Sequence, residues 1–309
     1  MSTLQPPLLV TGKTIIVTGA NIGLGFACAR GLLREGATVV MACRNEGRAR
    51  AALEALRPHT GEIGSATFYP LDLASLGSIA RFVDAVSADF KSIDGLCNNA
   101  GIMAVPRNET EDGFERQFGT NHLGHFALSL RLMPLLRVGD GARVVTVTSL
   151  AHHVGTISLD DLNGELRYSR WGAYAQSKLA NMLFALELQR RCEQSKLPIT
   201  SIAAHPGYSA TELVSPRATE GGLTWLSYLG VIGNSLVAQS ATLGAQPILH
   251  GFRSVTARGG DLYGPDGLGE FAGQPKLSVP SRRARDRDLA ARLWERSEAL
   301  TGLSFQGER

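Results

Sequence analysis

No stretch of this chain stays apolar for the ~20 residues that a membrane-spanning helix needs. The opening MSTLQPPLLV has no basic run, and prolines break its short apolar segment, so it does not read as a secretory signal. The expectation is a cytoplasmic protein with no integral membrane segment. Cys28, Cys43, Cys97 and Cys192 stand far apart with no CxxC spacing. That pattern argues against a disulfide framework or a zinc knuckle and for reduced, buried thiols. Charge of one sign is also scarce. Thirty-one Lys and Arg face 28 Asp and Glu, for a net charge of +3, and the two signs are mixed along the chain. A surplus this small does not describe a nucleic-acid binder. There is no internal repeat and no low-complexity linker.

What the chain does have is a regular alternation. Hydrophobic residues make up 44% of its 309 positions, enough for a sizeable core in one domain spanning 1–309. Short apolar runs at Lys13–Thr18, Ala37–Cys43, Ala66–Leu71, Ile93–Cys97, Arg143–Ser149 and Ile199–Ala204 read as buried strands, with Leu262–Tyr263 as a seventh. Helical stretches fall between them, at 23–35, 46–56, 76–90, 118–136 and 172–192, and a last helix is expected over 288–300. Apolar strands alternating with helices predict an α/β fold. The expected sheet is parallel, doubly wound (Rossmann) and of about seven strands. The region 205–270 is expected to hold a substrate lid after the sixth strand, and 285–309 a helical tail.

The turn after the first strand reads Thr18-Gly19-Ala20-Asn21-Ile22-Gly23-Leu24-Gly25. Glycines let the backbone approach a pyrophosphate, and the start of the next helix supplies N–H groups and a positive dipole end. Alone such a turn is weak; between a strand and a helix it points to a dinucleotide. At the end of the second strand, an acid would bind the ribose hydroxyl of NAD. The chain carries Arg44 there, whose planar fork suits a 2′-phosphate, so NADP(H) is the expected cofactor. Asp72, after the third strand, could meet the adenine. Asn98-Asn99-Ala100-Gly101, after the fourth, could line the adenosine side.

Tyr174 and Lys178 lie one helical turn apart and share a face. A phenol of pKa ~10 is a poor acid or base at neutral pH. A neighbouring ammonium stabilises the phenolate, and proton transfer improves as the pKa approaches the working pH. Ser149 closes the fifth strand, where its hydroxyl can hold a substrate oxygen. Asn121, within an expected helix, could bind water or a backbone carbonyl in a proton relay. His152 and His153 follow Ser149, but the chain has no Gly-x-Ser-x-Gly elbow, so they read as loop residues beside the site. His122 and His125 have no partner in a recognisable metal motif, and no metal is expected.

Together these pieces resemble the short-chain dehydrogenase/reductase family. The matching segments are TGANIGLG (18–25), Asp72-Leu73, NNAG (98–101), Asn121, Ser149, YAQSK (174–178) and HPG (205–207), in family order over about the first 210 residues. The resemblance implies a Ser149–Tyr174–Lys178 centre supported by Asn121. It also implies a cofactor site drawing on Gly19, Asn21, Ile22, Gly23, Gly25, Arg44, Asp72, Leu73, Asn99, Ala100, Gly101, Tyr174, Lys178, Pro206, Gly207 and Thr211, the last helping to hold the nicotinamide end. ACRN (42–45), TNHLGHF (120–126), TSLAHH (148–153) and SKLAN (177–181) are similar to retinol dehydrogenase-like and protochlorophyllide reductase-like members. Ser149 and Tyr174 are further apart than in the simplest members. The extra segment, 155–171, is expected to shape substrate choice.

The segment after Gly207 is rich in apolar residues (Leu213, Val214, Leu223, Trp225, Leu226, Tyr228, Leu229, Val231, Ile232). It could bury a lipophilic small-molecule substrate or pack against the body or a neighbouring subunit. The expected activity is carbonyl–alcohol interconversion. Two alternatives stay open: reduction of a carbon–carbon double bond, and a non-catalytic NADP(H)-binding sensor or scaffold. By resemblance, the helices at 118–136 and 172–192 pack against a partner, so a homo-oligomer is expected.

Overall fold

The structure, a computed structural model, describes residues 10–60, 64–138, 141–207 and 240–307. Thr211 and the apolar residues named after Gly207 lie outside the described residues. One sheet runs through the molecule. Its strands are β1 (Thr14–Thr18), β2 (Thr38–Cys43), β3 (Ser65–Pro70), β4 (Gly95–Asn98), β5 (Ala142–Val147), β6 (Ile199–Ala204), β7 (Leu262–Pro265) and β8 (Pro275–Ser278). Their order is β3-β2-β1-β4-β5-β6-β7-β8. All neighbours pair in parallel except β7 and β8.

The central strands are mostly apolar and buried because both faces are covered. Side chains alternate across the sheet. Ile15, Val17, Val39, Met41, Cys97 and Val145 face one core, with Leu32 and Leu33 of α1 (Gly23–Arg34), Ala49 and Leu56 of α2 (Glu46–Leu56), and Ile248 and Phe252 of α8 (Gln246–Arg253). Ile16, Val40, Leu96 and Val144 face the other. There they meet α3 (Leu76–Asp89), α5 (Gly124–Leu136) and α6 (Arg170–Gln194). The order in which strands are added reverses between β1 and β4, which opens a crevice beyond their C-terminal ends.

The sheet has eight strands where about seven were expected. β8 is a four-residue edge strand with two exposed positions, too short and too polar to stand out inside the stretch from Gln274. The helix expected over 118–136 is interrupted. A single helical turn, α4 (Arg116–Phe118), runs into a π-helical turn at Gly119–Leu123 before α5 begins. Within the region 205–270, residues 240–265 belong to the body of the fold. The short α7 (Ala241–Gly244) and α8 form the crossover to β7, and Ile248, Leu249 and Phe252 are core residues.

The C-terminal segment, expected as a helical tail, holds a helix packed into the core. α9 (Arg287–Thr301) starts at an Asp286 cap and stops at Gly302, whose φ is +66°. It buries Leu293 and Trp294. Trp294 stacks on Phe184 at 5.7 Å and meets Phe126 edge-on at 4.9 Å, while Arg191 lies over its ring at 4.5 Å. Among the described residues, no helix is long and apolar enough to cross a membrane.

Candidate active site

The phosphate-type loop has the shape its glycines imply. Gly19 and Gly23 have φ of +66° and +58°, which side chains rarely tolerate. At Gly25 a Cβ would lie 2.3 Å from Gly19 O and 2.5 Å from Asn99 Nδ2, so nothing larger fits. Ile22, the residue before α1, gives no side-chain cap, and the first turn carries no acid. The N–H groups at that helix start are therefore left to an incoming anion. Ile22 itself is 68% exposed, unusual for isoleucine and suited to covering a flat ligand. These features fit a dinucleotide pyrophosphate.

The NNAG turn is fastened to this loop. Thr18 Oγ1 accepts the N–H groups of Asn99 and Ala100, both at 2.9 Å. Asn99 Nδ2 donates to Thr18 O at 2.8 Å. Arg44 and Asp72, predicted separately, meet beyond β2 and β3 with Nη1 and Oδ2 3.8 Å apart. Arg44 remains 62% exposed. Leu73 is buried, and its carbonyl leaves no room for a side chain at Gly124.

The residues expected to do chemistry converge at the end of β5. Ser149, Tyr174, Lys178 and Asn121 are all buried. Lys178 Nζ donates to Val147 O at 3.2 Å and lies 5.8 Å from the centre of the Tyr174 ring. Thr148 Oγ1 donates to Lys178 O at 2.8 Å, tying α6 to the strand end. Ser149 Oγ accepts the Ala151 N–H at 3.3 Å, which leaves its own proton for donation. A Cβ on Gly101 would sit 3.2 Å from Asn121 Oδ1 and 3.6 Å from Lys178 Nζ. The NNAG turn, Asn121 and Lys178 therefore border one small space.

Asn121 is more of a bracket than its sequence context suggested. Its Oδ1 accepts the Ile102 N–H at 2.8 Å, and its Nδ2 donates to Ile102 O and to Ser177 Oγ, both at 2.9 Å. The π-helical turn is what aims it inward. His125, one turn on, went unassigned in the sequence and does join this network. Its Nδ1 donates to Asn121 O and its Nε2 faces Thr18 Oγ1, both at 2.9 Å. Burial pulls its pKa down to about 4, so it stays neutral, as this donor–acceptor pairing requires. Its spacing of four from Asn121 was the available signal.

The segment 155–171 is latched to the turn before Asn121. Glu115 caps that turn through the N–H groups of Gln117 and Phe118, at 3.0 and 2.7 Å. Burial raises its pKa despite these bonds. Gln117 Nε2 donates to Tyr168 Oη and to Arg170 O, each at 3.0 Å, and its Oε1 accepts the Ala104 N–H at 2.7 Å. The segment is thus held at its end, where α6 begins. Trp171, in the first turn of α6, is 60% exposed and stands edge-on to Tyr174 at 6.2 Å. On the other flank, His152 Nδ1 donates to Ser149 O at 2.7 Å. Pro206 and Gly207 are buried beyond β6. No group of His, Cys, Asp and Glu able to hold a metal occurs among the described residues.

A family model described as short chain dehydrogenase matches residues 13–221. Mouse polyprenol dehydrogenase is 41% identical over 309 residues, covering 96% of this chain and 87% of that protein. Human retinol dehydrogenase 13 is 40% identical over 303 residues, covering 97% and 88%. A crystal structure of an uncharacterized protein from Mycobacterium paratuberculosis superposes with a TM-score of 0.79 at 42% identity, covering 96% of both chains. L-sorbose reductase from Gluconobacter frateurii, at 20% identity and a TM-score of 0.65, covers 83% of this chain and 96% of its own and shares the fold.

Proposed function

The chain belongs to the short-chain dehydrogenase/reductase family, in its retinol dehydrogenase-like branch, and from that premise we propose that it is an NADP(H)-dependent oxidoreductase interconverting a carbonyl and an alcohol on a lipophilic small molecule. The observation that carries this reading is that buried Lys178 and Asn121 border the space beside Gly101, with the buried Tyr174 ring 5.8 Å from the Lys178 ammonium and buried Ser149 two residues beyond the Val147 carbonyl that Lys178 holds. When bound, the nicotinamide supplies or accepts a hydride.

The chain's own residues do the rest. Ser149 donates its hydroxyl proton to the substrate oxygen and fixes its place. Tyr174 gives that oxygen a proton in reduction and takes it back in oxidation. The Lys178 ammonium favours the phenolate and so brings the tyrosine closer to working pH. Asn121 holds the NNAG turn against Ser177, and its remaining Oδ1 lone pair is available to a relay water. Arg44 pairs with the 2′-phosphate of the cofactor; its distant contact with Asp72 leaves the guanidinium largely in solvent to do so.

The lipophilic substrate is supported by the names of the two relatives, a polyprenol and a retinol dehydrogenase, and by the exposed Trp171 ring beside Tyr174. We further propose a homo-oligomer through the helices at 118–136 and 172–192, on the parts of them that α9, seated over Phe126 and Phe184, leaves uncovered.

A screen of aliphatic and polyene aldehydes, ketones and alcohols, followed by NADPH absorbance in both directions, tests this reading. Turnover of apolar compounds and little turnover of sugars is expected. No turnover of any carbonyl or alcohol would remove it.

A further inference from the structure

A chain of polar contacts runs from the surface to the turn at Pro206-Gly207, well away from Ser149 and Tyr174 in sequence. Lys276 Nζ lies 3.2 Å from Glu270 Oε1. Glu270 Oε2 lies 3.0 Å from His205 Nε2. Gly207 N donates to His205 Nδ1 at 3.3 Å. This last contact sets the tautomer: Nδ1 accepts, so Nε2 carries the hydrogen and donates it to the carboxylate.

The surrounding backbone is shaped around this chain. His205 is fully buried, and a Cβ at position 264 would lie 2.1 Å from its Nε2, so only glycine on β7 admits the ring. Gly207 has a φ of +69°, and a Cβ there would be 2.4 Å from Phe271 O. Glu270 has a φ of +60°, a conformation that costs a non-glycine residue energy and persists where the surroundings require it. A glycine in its place would relieve that strain but lose the carboxylate. Burial opposes ionisation of Glu270, yet its hydrogen bonds, including those with Lys276 and His205, hold its carboxyl below the usual range. Burial likewise keeps His205 neutral against the pull of Glu270. Both groups therefore hold the protonation states that the contacts need.

We propose that Glu270 is a positioning residue: acting through His205, it holds the Pro206-Gly207 turn in the form that receives the nicotinamide end of the cofactor. This rests on the proposed NADP(H) function and on the family resemblance, which implies that Pro206 and Gly207 belong to the cofactor site. Glu270 itself touches no reacting atom. Its contribution is to orient a buried imidazole, whose other nitrogen then orients a backbone N–H. A charge-assisted bond to a buried ring is stronger than a neutral one, and Lys276 balances the charge at the surface.

The test compares full-length wild type with Glu270→Ala and Glu270→Gln in three measurements. These are amide exchange of the peptide ending at Gly207 in the cofactor-free protein, NADPH affinity by fluorescence, and thermal midpoint. Glu270→Ala is expected to speed exchange at Gly207 and weaken NADPH binding by about tenfold, the scale of one charge-assisted bond. Glu270→Gln, whose amide oxygen still accepts from Nε2, should stay within about threefold of wild type on both readouts. Unchanged exchange and affinity in Glu270→Ala would overturn the proposal. So would equal damage in both variants that simply follows the thermal midpoint. A wild type that binds no NADPH would instead overturn the cofactor reading beneath it, a case told apart because Gly207 exchange still responds to Glu270→Ala.

Discussion

The nucleotide side of the sheet and the side beyond β5 are built by different means. Around β1, β2 and β4 the work is done by backbone and by small residues. Gly19, Gly23 and Gly25 shape the loop, and Thr18, Asn99 and Ala100 knit two turns together. Beyond β5 the structure depends on large side chains from distant parts of the chain. His205 meets Glu270 across 65 residues, and His122 Nε2 meets Ser297 Oγ across 175, at 3.0 Å. The first side is open to a cofactor and sparing with side chains. The second is braced, and one brace, His122 to Ser297, packs against Phe184 of α6, the helix that carries Tyr174 and Lys178.

That contrast can be broken at three points. The largest effect should come from pH. His122, His125 and His152 are buried, and burial pulls their pKa values from 6.5 to about 3, about 4 and about 4. The folded state leaves them neutral, whereas the unfolded chain takes up protons as pH falls below 6.5. Stability is therefore full above that pH and is lost as pH falls from 6.5 toward 4. At pH 5 the loss is about 2 kcal/mol for each histidine. Denaturant unfolding at pH 7.5 and 5.0 checks it; equal stabilities would mean that these rings are not buried and neutral. His125→Gln should flatten the profile by one histidine's share.

Next is Trp294→Ala, which removes a buried indole from between Phe184, Phe126 and Arg191. A loss of about 3–5 kcal/mol in unfolding free energy is expected, with NADPH affinity retained under folding conditions. A loss below about 1 kcal/mol, within the range of ordinary surface substitutions, would make α9 an appendage and not a brace. Smallest is Arg44→Asp, expected to weaken NADPH binding by about 10- to 100-fold, the scale of a charged hydrogen-bonded pair. NADH affinity and thermal midpoint should barely move. Equal weakening of both cofactors would show that Arg44 does not read the 2′-phosphate.

Legibility in the sequence follows the same division. The loop at 18–25, NNAG, Ser149 and the Tyr174–Lys178 pair are short patterns in which local composition announces the geometry. β1, β2, β4, β5 and β6 were legible because both faces are covered and most of their residues are apolar and buried; β3, at the sheet edge and only partly buried, was legible from its short run before Asp72. β8 was not, because an edge strand needs no apolar run. The π-helical turn at Gly119–Leu123 follows from tertiary contacts of Asn121 that no local propensity encodes. Glu270 carries no sequence signal at all: an acid in a glycine-rich hairpin looks solvated until the fold brings His205 to it. Gln117 and Tyr168 were hidden for the same reason.

The reaction itself is tested most directly by isotope transfer. Wild type and Tyr174→Phe would each be given NADPH carrying deuterium at the transferable nicotinamide position, together with an unsaturated long-chain aldehyde, and the products mapped by mass spectrometry. The expected result is one deuterium on the carbinol carbon with wild type and, on the scale of a lost general acid, about 1,000-fold less with Tyr174→Phe. Deuterium on an alkene carbon, equal transfer by both proteins, or tight NADPH binding with no transfer at all would contradict the assignment of Tyr174 as proton donor to a carbonyl.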